Sequence, residues 1–220
     1  MPDALTTRFN MVDSQVRTAD VTDLRLIEAM RATPREAFLP ASQKALAYLD
    51  RDIALDGEDG VYLIKPVVLA RLMQAAEIGL TDKVLVTGGA AGYAAAIAGH
   101  LAAAVVAVCA TDKIAAASRT ALSSACGLSN VTVTAGEAGK GNPSAGPYDV
   151  IILDGATELV PQALYEQLKP GGRLVGVFAH SIPSRATIVT RSAADFGART
   201  LFDATAPILT GLKRLPAFTF

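Results

Sequence analysis

The sequence predicts an α/β fold: a doubly wound, mostly parallel seven-stranded sheet preceded by an N-terminal helical segment. Three observations support this prediction. Short runs rich in Val, Ile and Leu alternate with helix-compatible segments after residue 80. Several of these runs are apolar at consecutive positions, which is typical of parallel strands buried on both faces. A turn of small residues, GGAAG at positions 88–92, joins the first run to an Ala-rich segment, as in a βαβ crossover.

The bulk composition limits the functional classes. The chain has 220 residues, 51% of them hydrophobic, and a formal net charge of −1. We therefore expect a large core and no broad electrostatic attraction to nucleic acid. Two cysteines without metal-ligand spacing predict reduced thiols, a cytoplasmic protein and no metal site. The first ten residues lack the apolar core of a signal peptide.

The N-terminal part, residues 1–60, is predicted to be a helical cap at one edge of the sheet. Apolar residues at helical spacing predict a helix over residues 6–17 and a second one after residue 22. Asp20 or Thr22 is expected to cap the second helix.

Two further segments complete this N-terminal part. Residues 42–49 predict a short helix, and residues 50–60, DRDIALDGEDG, predict an acidic, glycine-containing loop. Residues 67–77 then form an amphipathic helix whose first turn accommodates Pro66.

Residues 82–112 are the centre of the prediction, because they read as strand, turn, helix and strand. The strands cover residues 83–87 and 105–108, and the helix covers residues 93–101. The long apolar stretch also suggests a membrane span, but Ala and Gly insert weakly and the glycines of the turn would break the helix. We therefore expect no membrane partner. The turn lies at the carboxyl end of its strand, where open α/β sheets bind ligands.

The remaining elements follow in the order that the fold requires. A helix over residues 113–126 is stopped by Gly127, and another covers residues 160–168. The predicted later strands cover residues 130–135, 148–153, 173–178, 186–191 and 198–203. Residues 169–172, KPGG, predict a sharp turn, and the last two strands give the sheet an antiparallel finish. Residues 207–220 either dock on the sheet or pair with another subunit, and the oligomeric state stays open.

Several phrases resemble one enzyme family. They are PREAFLP at residue 34, AYLD at residue 47, YLIKP at residue 62, VLVTGGAAGY at residue 84, GEAG at residue 136, YDVIILDGA at residue 148 and QLKPGGRLV at residue 167. Their order is similar to that of class I S-adenosylmethionine-dependent methyltransferases and, more narrowly, of the protein-L-isoaspartate O-methyltransferase family. The resemblance implies a Rossmann-like methyltransferase fold over residues 61–220 as one unit. Residues 1–60 would form its substrate-side cap.

The resemblance also implies S-adenosylmethionine as cofactor and a set of residues around it. The expected cofactor-binding positions are Gly88, Gly89, Ala90, Gly92, Tyr93, Cys109, Glu137 and Asp154. Three positions depart from the family pattern. Val86 replaces an acid, Ala90 replaces the middle glycine of the turn, and Cys109 stands where a Glu usually binds the ribose hydroxyls. A thiol is a poor acceptor for that contact.

On the substrate side, YLIKP occupies the place of the family's Thr-Ile-Ser-x-Pro segment. The expected catalytic positions are therefore Tyr62, Ile64 and Lys65, with Ile64 in place of the serine. The implied reaction is methylation of a carboxylate in damaged protein, so that the partner is a protein or peptide substrate. Two alternatives stay open: a relative that binds or scaffolds without catalysis, and a methyltransferase with another acceptor.

Overall fold

The computed structural model describes residues 3–55 and 57–214. Its α-helices are α1 (Ala4–Met11), α2 (Leu24–Ala32), α3 (Pro66–Ala76), α4 (Gly92–Gly99), α5 (Asp112–Ala121) and α6 (Gln162–Tyr165). Its strands are β1 (Ile53–Ala54), β2 (Tyr62–Leu63), β3 (Lys83–Gly88), β4 (Ala104–Cys109), β5 (Val131–Ala135), β6 (Tyr148–Thr157), β7 (Leu168–Phe178), β8 (Arg185–Arg191) and β9 (Phe196–Asp203).

The main sheet has seven strands in the order β5-β4-β3-β6-β7-β8-β9. Strands β3 to β7 pair in parallel, whereas β8 is antiparallel to both of its neighbours. This arrangement confirms the predicted fold class and the antiparallel finish. The switch in chain order falls at β3, so the turn that follows β3 lies where doubly wound sheets bind ligands.

The helical segments before the sheet differ in detail from the prediction. Helix α1 ends at Met11 and continues as a π-helical turn to Val16. The cap of α2 is Asp23, not Asp20 or Thr22, because its carboxylate accepts from the amides of Arg25 and Leu26. Asp20 instead has a left-handed backbone that ends the preceding helical stretch. The predicted helix over residues 42–49 is a 3₁₀ helix over Ala41–Leu46.

The region between β6 and β7 is also shorter in helix than predicted. Helix α6 covers only Gln162–Tyr165, because Leu168 already pairs with Tyr148 as the first residue of β7. The KPGG sequence is an irregularity within β7 rather than a turn before it. By contrast, Gly127 ends the α5 segment with a φ of +64°, as its sequence position predicts.

The core has a layer on each face of the sheet. The larger layer joins apolar residues of the N-terminal segments and α3, α4 and α5 to the sheet, and the smaller one includes residues of α6. Buried Arg35 ties the N-terminal part to the rest: its Nε donates to the carbonyl of Ala47 at 2.7 Å, and its Nη2 to that of Ile64 at 2.7 Å.

Part of the C-terminal segment docks on the sheet. The amide of Ala156 at the end of β6 donates to the carbonyl of Pro207, and the amide of Leu209 donates back to Ala156. Residues 215–220 lie outside the described residues. Within the described ranges, no helix combines the length and the apolar character needed to cross a bilayer.

Candidate active site

A cavity of about 500 Å³ opens at the carboxyl ends of β3, β4 and β5. Its floor consists of the residues that follow these strands: Gly88, Gly89, Ala110, Thr111, Gly136, Glu137 and Ala138. Its roof is formed by residues 57–61, between β1 and β2, and by Leu209 and Thr210. This is the position at which parallel sheets bind ligands, and the volume lies within the range of small-molecule sites.

The glycines at the end of β3 and in the turn after it have different roles. A Cβ on Gly89 would lie 3.2 Å from Val61 Cγ1, so the missing side chain lets the roof approach the turn. Gly88 lies opposite Asp154 of β6, and a Cβ there would press on the backbone of that residue. Gly92 does not line the cavity, since a Cβ there would collide with the Ser118 hydroxyl of α5. Gly92 therefore serves helix packing.

A smaller cavity lies beside the first. It has a volume of about 250 Å³ and is lined mainly by apolar residues of the N-terminal part and α5, together with Ala90. Ala90 therefore faces this neighbouring space rather than the larger cavity.

Cys109 and Glu137, the two predicted side chains at the ends of β4 and β5, behave differently. The Cys109 thiol is fully buried and lies 3.8 Å from the Ser118 hydroxyl. Burial raises the pKa of this thiol to about 11. The Glu137 carboxylate lies at the cavity and pairs with Lys140 at 2.6 Å. Only the second of these side chains can contact a ligand in the cavity.

Asp154, Tyr93 and Arg35 bury polar atoms in the layer behind the turn. Both carboxylate oxygens of Asp154, the Tyr93 hydroxyl and the Arg35 Nη1 have no hydrogen-bond partner among the described residues. The Arg35 guanidinium lies 4.8 Å from the centroid of the Tyr93 ring. Burial raises the pKa of Asp154 to about 7, although the nearby charge of Arg35 acts in the opposite direction.

The predicted substrate residues are consecutive along the chain but do not face one space. Tyr62 lines a shallow, open groove that shares Gly60, Leu209 and Thr210 with the cavity at the strand ends. The side chain of Ile64 is buried in the core. Lys65 donates from its ammonium to the Thr205 hydroxyl at 3.1 Å and lies 4.0 Å from the Asp52 carboxylate.

Glu58 is a cavity residue that the sequence did not single out. It lies between the two glycines of the predicted loop and lines both the larger and the smaller cavity, and its side chain is only 12% exposed. Its carboxylate accepts from the Thr111 hydroxyl at 3.2 Å and from the Lys113 ammonium at 3.0 Å. The signal in the sequence was the acidic, glycine-flanked composition of this segment. It predicted a loop but not that Glu58 lines the cavity. Among the described residues, no group of three or more His, Cys, Asp or Glu is arranged to hold a metal ion.

Comparisons with known proteins give a consistent result. The family model described as "Protein-L-isoaspartate(D-aspartate) O-methyltransferase (PCMT)" matches residues 7–195. Proteins named protein-L-isoaspartate O-methyltransferase from Methanoculleus marisnigri and Roseiflexus castenholzii are each 37% identical over 168 residues. In both cases the match covers 76% of this chain and 75% of the relative.

Solved structures share the fold. One protein-L-isoaspartate O-methyltransferase superposes with a TM-score of 0.78 at 23% identity, over 92% of this chain and 66% of the other. A putative protein-L-isoaspartate O-methyltransferase from Plasmodium falciparum, in complex with S-adenosyl-L-homocysteine, has a TM-score of 0.78 at 13% identity, over 92% of this chain and 98% of the other. At these identities the likeness describes the fold.

Proposed function

Because the chain belongs to the protein-L-isoaspartate O-methyltransferase family, we propose that it methylates isoaspartyl carboxylates in damaged protein with S-adenosylmethionine. The observation that carries the proposal is the open cavity at the strand ends. Its volume suits a nucleoside ligand, and neither Ile64 nor Cys109 is among its lining residues. Membership of the family supports the proposal of a protein substrate and of the cytoplasm as the place of action.

The cofactor supplies a sulfonium-bound methyl group. Gly88, Gly89 and Glu137 would hold this cofactor, which would supply its methyl group to a substrate carboxylate oxygen and keep the electron pair of the broken sulfur–methyl bond on sulfur. An ionised carboxylate needs no general base, so the chain has to bind and align the two partners and exclude water.

The predicted cofactor positions divide into contacts and supports. Gly88 and Gly89 offer bare backbone to the cofactor, and Glu137 offers a carboxylate at the end of β5. The other predicted positions would support these contacts from behind or beside the lining of the cavity. They are Ala90, Gly92, Tyr93, Cys109 and Asp154. Since Val86 and Cys109 are buried and give the cavity no polar atom, the proposed affinity is lower than a site with acids there would reach.

The substrate end of the proposed site is the groove that continues from the cavity past Gly60 and Thr210. Tyr62 and Lys213 line this groove, and their hydroxyl and ammonium groups are the proposed contacts of the substrate carboxylate. Ile64 and Lys65 would have structural roles here. The carbonyl of Ile64 accepts a hydrogen bond from Arg35, and the ammonium of Lys65 donates one to the Thr205 hydroxyl. Residues 1–60 would then be the substrate-side cap, since residues 57–60 belong to the roof of the cavity.

Calorimetry with S-adenosylmethionine and with S-adenosylhomocysteine tests the cofactor half of the proposal. We expect saturable binding of both. Absence of binding heat at millimolar ligand would contradict the proposed methyltransferase activity. It would favour a relative that binds or scaffolds without catalysis.

A methyl-release assay tests the substrate half. The isoaspartyl peptide is compared with the same peptide that carries a normal aspartyl residue, and methylation of the isoaspartyl form alone is expected. Cofactor binding without any methylation of the isoaspartyl peptide would indicate a different acceptor.

A further inference from the structure

The cavity lacks a carboxylate at the end of β4. Nucleoside ligands of α/β sheets present a ribose with two neighbouring hydroxyls, and a carboxylate near the end of the second strand commonly accepts from them. Here that strand ends in Cys109, whose buried thiol lies against Ser118 and is a weak acceptor. Another part of the chain therefore has to supply the acceptor if a nucleoside binds.

Glu58 reaches this place from the turn between β1 and β2. Gly57 and Gly60 flank the acidic pair of the turn with φ values of +75° and +70°, which few other residues adopt. The amide of Glu58 donates to the carbonyl of Leu55, and the carbonyl of Glu58 accepts from the amide of Val61. The Glu58 side chain then points to Thr111, two residues beyond Cys109.

We propose that Glu58 supplies the carboxylate that binds the ribose hydroxyls of the nucleoside cofactor. The proposal rests on the proposed function, because that function brings the nucleoside. It makes a residue of the N-terminal part a direct cofactor contact, in the place that Cys109 leaves without an acceptor.

The contacts of Glu58 leave it capacity for this role. An ionised carboxylate has about four acceptor sites on its two oxygens. The Thr111 hydroxyl occupies one on Oε2 and the Lys113 ammonium one on Oε1, so one further site remains on each oxygen. Two neighbouring hydroxyls need two such sites.

The same contacts hold the carboxylate in place. Thr111 is the cap of α5, and its hydroxyl oxygen accepts from the amide of Ile114 while its hydrogen points to Glu58. The carboxylate thus lies at the positive end of a helix dipole. Lys113 is 73% exposed, so its ion pair is weak and does not compete strongly with a ligand.

Glu137, the carboxylate on the cavity floor, fits the role less well. It lies one strand further along the sheet, on the turn after β5, and its carboxylate is 67% exposed and held by Lys140. Glu58 combines low exposure with a position beside the end of β4. It is therefore the acid that the geometry favours for the ribose.

The test compares two ligands on two proteins by calorimetry. The ligands are S-adenosylhomocysteine and its 2′,3′-dideoxy analogue, and the proteins are wild type and Glu58→Gln. We expect Glu58→Gln to bind S-adenosylhomocysteine about tenfold more weakly, because a charge-assisted contact is lost. The dideoxy analogue should bind both proteins equally, within twofold. A role in holding the loop alone would weaken both ligands by the same factor.

Two further variants complete the test. Glu58→Asp keeps the charge but withdraws the carboxylate by one carbon, so it should also lose affinity for the ligand with hydroxyls and not for the analogue. Glu28→Gln is the matched control, because this exposed acid is likewise paired with a cation, Arg31. It should leave both affinities unchanged.

Three outcomes are distinguishable. Loss of affinity that depends on the ribose hydroxyls supports the role of Glu58. Binding of S-adenosylhomocysteine that is equal in wild type and Glu58→Gln overturns that role and leaves the proposed function intact. Failure of wild type to bind S-adenosylhomocysteine at all overturns both.

Discussion

The two ends of strand β6 carry the same chemical group in opposite surroundings. At the amino end, Asp149 accepts from the Lys169 ammonium at 2.7 and 2.9 Å and from the amide of Lys83 at 2.8 Å. At the carboxyl end, Asp154 is fully buried and neither of its oxygens has a partner among the described residues. The amino end of the sheet is thus built for stability, whereas the carboxyl end tolerates unpaired polar atoms beside the cavity.

The two carboxyl groups titrate accordingly. Burial alone would raise the pKa of Asp149, but the hydrogen bonds from Lys169 and Lys83 outweigh it and hold the pKa below its usual value. Burial raises the pKa of Asp154 to about 7, since the charge of Arg35 compensates only in part. One strand therefore contains an acid that stabilises the fold when ionised and another that destabilises it when ionised.

The largest expected effect comes from Asp154→Asn. Asp154 binds its proton more tightly in the folded chain than in the unfolded one, so its contribution is complete below about pH 4 and is lost as the pH rises to about 7. Between these values wild type should lose roughly 4 kcal/mol of unfolding free energy relative to Asp154→Asn. Urea unfolding of both proteins at intervals from pH 4 to pH 8 measures this difference.

Asp149→Asn is the control on the same strand, and we expect its stability to depend on pH in the opposite direction. Its depressed pKa means that its contribution is present above the unfolded pKa and is lost as the pH falls through the folded value. Asp149→Asn should therefore be less stable than wild type at pH 7 and approach it in acid. If the unfolding free energies of the two variants, relative to wild type, changed with pH in the same direction, the proposed difference between the two ends of β6 would be wrong.

Arg35→Met should have the next largest effect, because Arg35 ties the N-terminal part to the segment between β2 and α3. The change leaves the buried carbonyls of Ala47 and Ile64 without their donor. We expect a loss of about 3 kcal/mol in unfolding free energy, measured by urea unfolding at pH 7. Arg17→Met is the matched control, since Arg17 is 54% exposed and pairs only at the surface with Asp13. Equal stability of the two variants would contradict the anchoring role of Arg35.

Local patterns predicted the order of strands and helices in the sheet well. The apolar runs that became β3, β4 and β6, and the glycine that ends the α5 segment, depend on chain-local preferences that a sequence displays directly. The limits of α6 were missed, because pairing of Leu168 with Tyr148 decides them and that contact is tertiary. The cap of α2 was also misplaced, by one to three residues.

The carboxyl end was harder to predict, because distant segments meet there. Position 109 was recognised, but the direction of its thiol depends on the packing of Ser118 from α5. Glu58 was missed because a loop composition gives no direction, and its contact with Thr111 joins residues 53 positions apart. The glycine turn was located, but the close approach of Ser118 from α5 to Gly92 is a tertiary contact that the local sequence does not display.

Cys109→Ser gives the smallest expected effect. It tests whether the cofactor contacts the end of β4 or Glu58. The thiol is buried away from the cavity lining, so a hydroxyl of similar size should change the affinity for S-adenosylhomocysteine by less than about twofold. Unfolding free energy should fall by about 1 kcal/mol or less, because Ser118 lies within reach of the new hydroxyl. Calorimetry beside Glu58→Gln gives the comparison directly. If Cys109→Ser weakened binding as much as Glu58→Gln, the end of β4 itself would hold the ribose. The difference in polar pairing between the amino and carboxyl ends of β6 would then not extend to β4.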